Sequence, residues 1–187
     1  KHAPALPLYT EADALDSLKL LHTVPMDRAF EPLHGWTARF IRAGHILGAS
    51  TAQIDIGGVR IVFSGDLGRY DDPVMYDPEP VPEADYVVTE STYGNRRHDR
   101  GDAVEALGKI INRTVLRGGT VVIPAFAVGR AQSLIHDLWL LRQSGGLRNV
   151  PVYLDSPMAT DATALLHKHH QDHRLASHDF ESAFADV

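Results

Sequence analysis

The most constraining feature of this sequence is a pair of strand-like runs joined by two glycines. The runs cover residues 51–56 and 59–64, and Gly57-Gly58 between them is a strong signal for a tight hairpin. A hairpin folds back on itself, so the segments that flank it return to the same end of the sheet. The sequence therefore predicts that the residues just before 51 and just after 64 lie close together.

Each flanking segment is a glycine-bracketed loop that contains one possible metal ligand. The first loop, AGHILGA, contains His45, and the second, SGDLGR, contains Asp66. An imidazole and a carboxylate that converge from strand-end loops are ligands that a hydrolytic zinc ion uses. Taken alone, such a pair is more often explained as ordinary turn residues. The interpretation as ligands depends on a third loop.

The third loop, ESTYGN, begins at Glu90 and follows another strand-like run. In this order and at this spacing, the three loops resemble the metallo-β-lactamase superfamily, specifically its β-CASP branch of RNA- and DNA-processing nucleases. The loop of His45 looks like that family's motif 3, the loop of Asp66 like its motif 4, and Glu90 like the acidic residue of its motif A. The resemblance extends from about Leu8 to at least Ala164.

The resemblance implies an α/β fold: part of a metallo-β-lactamase αββα sandwich, followed by the start of a β-CASP domain with a parallel, Rossmann-like sheet. We place the C-terminal part of the metallo-β-lactamase domain core at residues 1–95 and the first part of an incomplete β-CASP domain at residues 96–187. We therefore expect the chain to be a fragment of a longer protein.

Periodicity, caps and turn residues predict the individual elements. Expected before the proposed boundary are a helix capped by Thr10, strands over 36–41 and 85–89, the latter short and buried, and a surface loop over 71–82. Expected after it are helices over 102–116, about 130–143 and from Ser156 onward, with strands over 120–123 and 150–154. This alternation of helix and strand predicts a parallel sheet with right-handed crossovers.

The resemblance also implies an activity, a zinc-dependent phosphodiesterase that cleaves RNA. In the family, two zinc ions activate a hydroxide that attacks the scissile phosphorus in line. By resemblance His45 would ligate one zinc, Asp66 would bridge both, and Glu90 would orient a downstream histidine that protonates the leaving oxygen. The family's H-x-H-x-D-H cluster is absent from this sequence, and its motif B and C histidines are not reached. We therefore expect this chain to be inactive by itself.

Three further residues are candidates for substrate binding. Arg96 and Arg97 open a basic cluster with His98 and Arg100, for which phosphate contact and a solvated loop are about equally good explanations. Ser156 lies where a helix start could hold a phosphate, although a helix cap before Pro157 is the simpler explanation. The expected substrate is single-stranded RNA; DNA is not excluded, and a homodimer stays open.

Composition limits the alternatives. There are no cysteines, so a metal must be held by histidine and carboxylate, and a net charge of −6 argues against non-specific coating of nucleic acid. No apolar run approaches a membrane span and no leader opens the sequence, so we expect a cytoplasmic protein without membrane attachment. His169 and His173 have a zinc-protease spacing, but without the H-E-x-x-H pattern we expect an exposed helix there.

Two other function classes compete with the nuclease. Some β-CASP relatives have lost their ligands and serve as non-catalytic scaffold subunits. The intact His45, Asp66 and Glu90 argue for the enzyme, and the presence or absence of an H-x-H-x-D-H cluster upstream of Lys1 would decide between these two classes. Small-molecule hydrolases of the wider superfamily, such as thioesterases or lactonases, are the third class. The glutamate loop and the α/β insertion weigh against them, because those simpler enzymes lack the second domain.

Overall fold

The structure is a computed structural model that describes residues 7–97 and 101–184. Its strands form one four-stranded sheet in the order β1-β2-β3-β4: β1 Trp36–Arg42, β2 Ser50–Ile56, β3 Val59–Phe63 and β4 Tyr86–Val88. Its α-helices are α1 Glu11–Leu18, α2 Ala103–Leu116, α3 Arg130–Gln143, α4 Pro157–Lys168 and α5 Ser177–Phe184, with a 3₁₀ turn at His170–Asp172. The expected mixed α/β class is confirmed, while the αββα sandwich stays an expectation.

The predicted hairpin is confirmed. Strands β2 and β3 pair antiparallel with Ile56 opposite Val59, so Gly57 and Gly58 form the two-residue turn. Both glycines have positive φ, +56° and +81°, which only glycine adopts at little cost. Strand β1 extends the antiparallel sheet on the other side of β2. The loops before β2 and after β3 therefore lie at the same end of the sheet.

The predicted strand over 85–89 is confirmed, but its predicted burial is wrong. Strand β4 pairs parallel with β3. Its side chains Tyr86, Val87 and Val88 alternate between the two faces of the sheet and are all exposed, so none of the described elements covers β4 on either face. An apolar run of three residues indicates a strand without indicating which element covers it.

The predicted helices are confirmed together with their caps. The Asp102 side chain accepts a hydrogen bond from the amide of Glu105 at the start of α2, and Thr10 with Asp13 forms a capping box at the start of α1. Helix α3 has the predicted bounds and buries Ala131, Ile135 and Leu138 along one face. Caps and helical periodicity depend only on residues within the same segment, so the sequence predicts them without reference to the rest of the fold.

The predicted strands over 120–123 and 150–154 are not formed within the described residues, and neither is the parallel, Rossmann-like sheet. Three valines of these segments, Val121, Val150 and Val152, do pack against an apolar cluster. The cluster consists of Ile111 of α2, Leu138 and Leu141 of α3, and Leu147 after α3. Alternate residues such as Val122 and Tyr153 are 84% exposed. The apolar pattern thus indicates burial against helices, but a strand also requires a backbone partner, which the pattern does not specify.

The segment over 71–82 is not a free surface loop as predicted. Val74 and Met75 are buried with Leu166, Leu175 and Phe180 in one apolar cluster. The backbone also pairs across this contact, since Arg174 donates its amide to the Val74 carbonyl at 2.8 Å. This cluster joins residues from both sides of the boundary proposed near residue 95, and that boundary stays a prediction.

No helix in the described ranges is both long and apolar enough to cross a membrane.

Candidate active site

Three loops meet at the end of the sheet where β2 begins and β3 ends. We call them the His45 loop (residues 43–49), the Asp66 loop (64–69) and the Glu90 loop (90–95). The amide of Gly68 donates to the carbonyl of Ala43 at 2.8 Å and joins the first two. The amide of Ser64 donates to the carbonyl of Val88 at 2.9 Å, which extends the pairing of β3 with β4 to the start of the Glu90 loop.

The His45 and Asp66 loops touch at the backbone, which explains their glycines. A Cβ atom at Gly68 would lie 2.1 Å from the carbonyl oxygen of Gly44. A Cβ at Gly44 would lie 2.5 Å from the carbonyl oxygen of Tyr76, and Gly44 itself has a φ of +69°. Gly68 therefore allows the backbones of the two loops to approach more closely than a side chain permits, and Gly44 allows the His45 loop to approach the backbone of Tyr76 in the same way.

The Glu90 carboxylate connects the second and third loops. Its Oε1 accepts a hydrogen bond from the amide of Leu67 at 3.0 Å, and its Oε2 accepts one from the amide of Thr92 at 3.1 Å. These bonds, the first from Leu67, hold the pKa of Glu90 below its usual value; the nearby His45 acts in the same direction and desolvation opposes it. Glu90 thus takes its hydrogen bonds from backbone amides of both neighbouring loop segments.

Sequence reasoning missed two residues that support these loops, Ser64 and Thr51. The Ser64 hydroxyl accepts from the amide of Glu90 at 3.0 Å and donates to the carbonyl of Gly65 at 2.7 Å. The Thr51 hydroxyl donates to the Ser64 carbonyl at 3.0 Å. Both side chains are buried, at 6% and 2% exposure. The sequence did offer one signal for them, a small hydroxyl residue at the end of each strand. Backbone groups there lack a partner in the neighbouring strand, and a hydroxyl can supply one.

His45 and Asp66 are both exposed. An imidazole nitrogen and a carboxylate oxygen are both common zinc ligands, so the chemical types of the two residues suit a zinc site. They do not complete one, because a protein zinc site takes at least three side-chain ligands. Residues 7–97 and 101–184 contain no group of three or more His, Cys, Asp or Glu arranged to hold a metal. The roles of His45 and Asp66 as ligands stay predictions.

The candidate substrate-binding residues are partly explained by local structure. Arg96 and Arg97 are exposed, and the Arg96 guanidinium lies 5.8 Å from the centre of the Tyr93 ring. His98 and Arg100 of the basic cluster lie outside the described residues. The Ser156 hydroxyl caps α4 by accepting from the amide of Ala159 at 3.2 Å, which confirms the simpler explanation. Contact of Arg96, Arg97 or Ser156 with substrate stays a prediction.

The start of α3 lies against the His45 loop. A Cβ at Gly129, the residue before α3, would lie 2.9 Å from Cγ2 of Ile46. The buried side chain of Gln132 accepts from the amide of Gly129 at 2.8 Å and donates to the carbonyls of Ala127 and Ala159 at 3.0 and 3.3 Å. Gln132 therefore ties the start of α3 to the first turn of α4, beside the loop that contains His45.

The C-terminal histidines do not form a helical pair. Helix α4 ends at Lys168, and His173 is 1% exposed in an extended segment after the 3₁₀ turn. Its Nδ1 accepts from the amide of Leu175 at 3.2 Å, so its Nε2–H donates to the carbonyl of Leu166 at 3.0 Å. Burial lowers the pKa of His173. His173 is thus a neutral core residue, and the expectation of an exposed helix is wrong there.

Fold and site together define an α/β protein with a polar site at the end of a mixed sheet, built from three loops that contain an imidazole and two carboxylates. Comparison with known proteins gives the family. Residues 131–187 match the model of the Beta-Casp domain.

The chain is similar to curated proteins over most of its length. It is 34% identical to cleavage and polyadenylation specificity factor 73 of Drosophila melanogaster, over 84% of this chain and 23% of that protein. It is 40% identical to ribonuclease TTHA0252 of Thermus thermophilus, over 64% and 28%. It is 33% identical to endoribonuclease YSH1 of Saccharomyces cerevisiae, over 81% and 20%. These findings confirm the resemblance to the β-CASP family. The chain spans a fifth to just over a quarter of these relatives.

Proposed function

We propose that the protein containing this chain is a zinc-dependent phosphodiesterase that cleaves single-stranded RNA. The observation that carries the proposal is the junction of the three loops, which brings the segments of His45, Asp66 and Glu90 together through direct hydrogen bonds. The names of the relatives, ribonuclease and endoribonuclease, support RNA as the substrate. A cytoplasmic location and a homodimer remain expectations.

In this proposal the chain contributes two ligands and one orienting carboxylate. His45 offers a ring nitrogen and Asp66 a carboxylate, and further ligands would come from residues outside the described set. A bound zinc would supply Lewis-acid stabilisation of the charge that develops on the phosphate. Glu90, whose pKa these hydrogen bonds hold below its usual value, is a carboxylate at neutral pH and can accept but not donate, so it would orient a histidine by accepting its N–H.

The arginines would contribute to substrate binding rather than to chemistry. Arg96 and Arg97 follow the Glu90 loop and are exposed, so their guanidinium groups are accessible to phosphate oxygens. Their contribution is electrostatic, and it should weaken as the salt concentration rises. Loss of either charge would therefore raise KM more than it lowers kcat.

A second candidate is a non-catalytic β-CASP scaffold subunit. It is favoured by one observation, that the described residues contain no group of three or more His, Cys, Asp or Glu placed to hold a metal ion. Such a subunit would bind RNA or a partner protein without hydrolysing a phosphodiester.

The test is an RNA cleavage assay on the protein that contains this chain. End-labelled single-stranded RNA is incubated with the protein after chelation and again after zinc is returned, with DNA of the same sequence and a thioester as competing substrates. We expect zinc-dependent cleavage of RNA that His45→Ala abolishes. RNA binding without cleavage would favour the scaffold, and hydrolysis of the thioester alone would favour a small-molecule hydrolase.

A further inference from the structure

We infer that Glu90 has a role besides orienting a histidine: it is the positioning residue of the Asp66 loop, fixing the backbone on which the Asp66 side chain stands. The part of this inference that concerns metal rests on the proposed function. The part that concerns the loop rests on the structure of this chain.

Both peptide groups that flank Asp66 are held by side chains. The preceding peptide contributes the carbonyl of Gly65, which accepts from the Ser64 hydroxyl at 2.7 Å. The following peptide contributes the amide of Leu67, which donates to Glu90 Oε1 at 3.0 Å. Fixing these two peptide planes fixes the backbone angles at Asp66. The backbone angles in turn set the direction of the Cα–Cβ bond, from which the carboxylate extends.

The loop needs such restraints because its own sequence supplies little stiffness. Gly65 precedes Asp66 with a φ of +57°, and Gly68 follows two residues later. Glycine has more accessible backbone conformations than any other residue, so a loop bracketed by glycines depends on external contacts for its geometry. The two residues that supply those contacts also bond to each other, since the backbone amide of Glu90 donates to the Ser64 hydroxyl at 3.0 Å.

The chemistry of the contact requires a carboxylate. Glu90 uses one oxygen for Leu67 and the other for Thr92, so each of its two oxygens accepts from one amide. A glutamine offers one oxygen and one NH₂ group, and the NH₂ group would face one of the two amides, donor against donor. Glu90→Gln, which keeps the size of the side chain, should therefore loosen the site even before any metal or histidine is involved.

The first test is amide hydrogen exchange by NMR on the metal-free chain. In Glu90→Ala the Leu67 amide should exchange faster by about fivefold or more, as expected for the loss of a charge-assisted hydrogen bond. In Glu90→Gln the amide of Leu67 or of Thr92 should exchange faster. The amide of Ser64, bonded to Val88, is the internal reference and should stay unchanged. Glu83→Gln is the matched control, because Glu83 is exposed and its hydrogen bond is made through its carbonyl.

The second test is zinc affinity in the protein that contains the chain. Loss of an outer partner of a metal ligand typically weakens binding by about 10–100-fold, and we expect that range for Glu90→Ala and Glu90→Gln. An unchanged Leu67 exchange rate in Glu90→Ala, with the Ser64 amide still protected, would overturn the inference. Faster exchange with unchanged zinc affinity would overturn its metal part. A wild-type protein that binds no zinc would instead overturn the proposed function, while the exchange rates would still decide the role of Glu90 in the loop.

Discussion

The backbone of Gly68 lies directly against the carbonyl of Gly44, so closely that a Cβ at 68 would be 2.1 Å from that oxygen. The two residues belong to the loops that contain Asp66 and His45, and the amide of Gly68 also donates to the carbonyl of Ala43. The proposed metal ligands are thus presented by two loops in backbone contact. The two loops can hold this relative position only because residue 68 is a glycine without a side chain.

We predict that Gly68→Ala destabilises the protein and separates these loops. Backbone atoms cannot move aside as the end of a flexible side chain can, so the loops must shift to accept the methyl group. Overpacking of this kind typically costs about 1–3 kcal/mol. The free energy of unfolding from urea titration measures the cost, and zinc affinity should fall with it.

The control for this substitution is Gly58→Ala in the hairpin turn. Gly58 has a φ of +81° with open space around its Cα, so alanine there meets backbone strain alone. If Gly68→Ala left both the free energy of unfolding and the zinc affinity at the wild-type values, the close approach of the loops would be wrong.

A second prediction concerns Gln132. Its side chain bonds to Gly129, Ala127, Ala159 and Thr163, so Gln132→Ala leaves the partly buried Gly129 amide and Ala127 carbonyl without these partners. We expect the free energy of unfolding to fall by about 1–3 kcal/mol. Gln143→Ala, at the exposed end of the same helix, should change it by less than about 0.5 kcal/mol. Equal effects of the two substitutions would contradict the assigned role.

A third prediction is a loss of stability in mild acid that involves His173. Burial lowers the pKa of His173 in the folded protein; the hydrogen bond to Leu166 and the charge of Asp172 oppose this shift, and His170 and His167 add to it. The unfolded chain therefore takes up this proton at a higher pH than the folded one. The sign follows from linkage: the free energy of unfolding is highest above about pH 6.5 and falls as the pH drops below it.

Urea titrations on either side of that pH measure the effect. In His173→Gln the protein should be less stable throughout, because the bonds to Leu166 and Leu175 are disturbed, but the difference between the two pH values should shrink. His136 is also buried with a lowered pKa, so part of the acid effect should remain. An undiminished pH dependence in His173→Gln would show that other groups cause it.

A fourth prediction concerns Asp66. Its side chain is exposed, so Asp66→Ala should change the free energy of unfolding by less than about 0.5 kcal/mol. If Asp66 bridges the metals, the same substitution should remove both zinc binding and RNA cleavage. Elemental analysis gives the zinc content, and Asp161→Ala on the exposed face of α4 is the control. Full zinc content in Asp66→Ala would refute the bridging role.

Elements defined by local signals were predicted well from the sequence. The hairpin follows from Gly57-Gly58, and α3 was predicted with its observed bounds because its apolar residues repeat at helical spacing. Caps such as Asp102 and Ser156 act through the next three residues, so they too can be read locally.

Features that depend on distant partners were not predictable in this way. Val74 and Met75 are buried by residues about a hundred positions later in the chain, and the proline-rich composition of their segment gave no sign of it. The run over 150–154 looks like a strand, but whether it pairs depends on a neighbour that its own pattern does not specify. At the site, Glu90 was recognised from its motif, whereas its bond to Leu67 follows only from how two loops converge.

The most direct test of the account is the position of zinc in crystals of the protein that contains this chain, measured by anomalous scattering at the zinc absorption edge. The account predicts zinc at about 2 Å from a ring nitrogen of His45 and from a carboxylate oxygen of Asp66. Zinc bound elsewhere, or ligand atoms of His45 and Asp66 more than about 8 Å apart, would contradict a shared metal site.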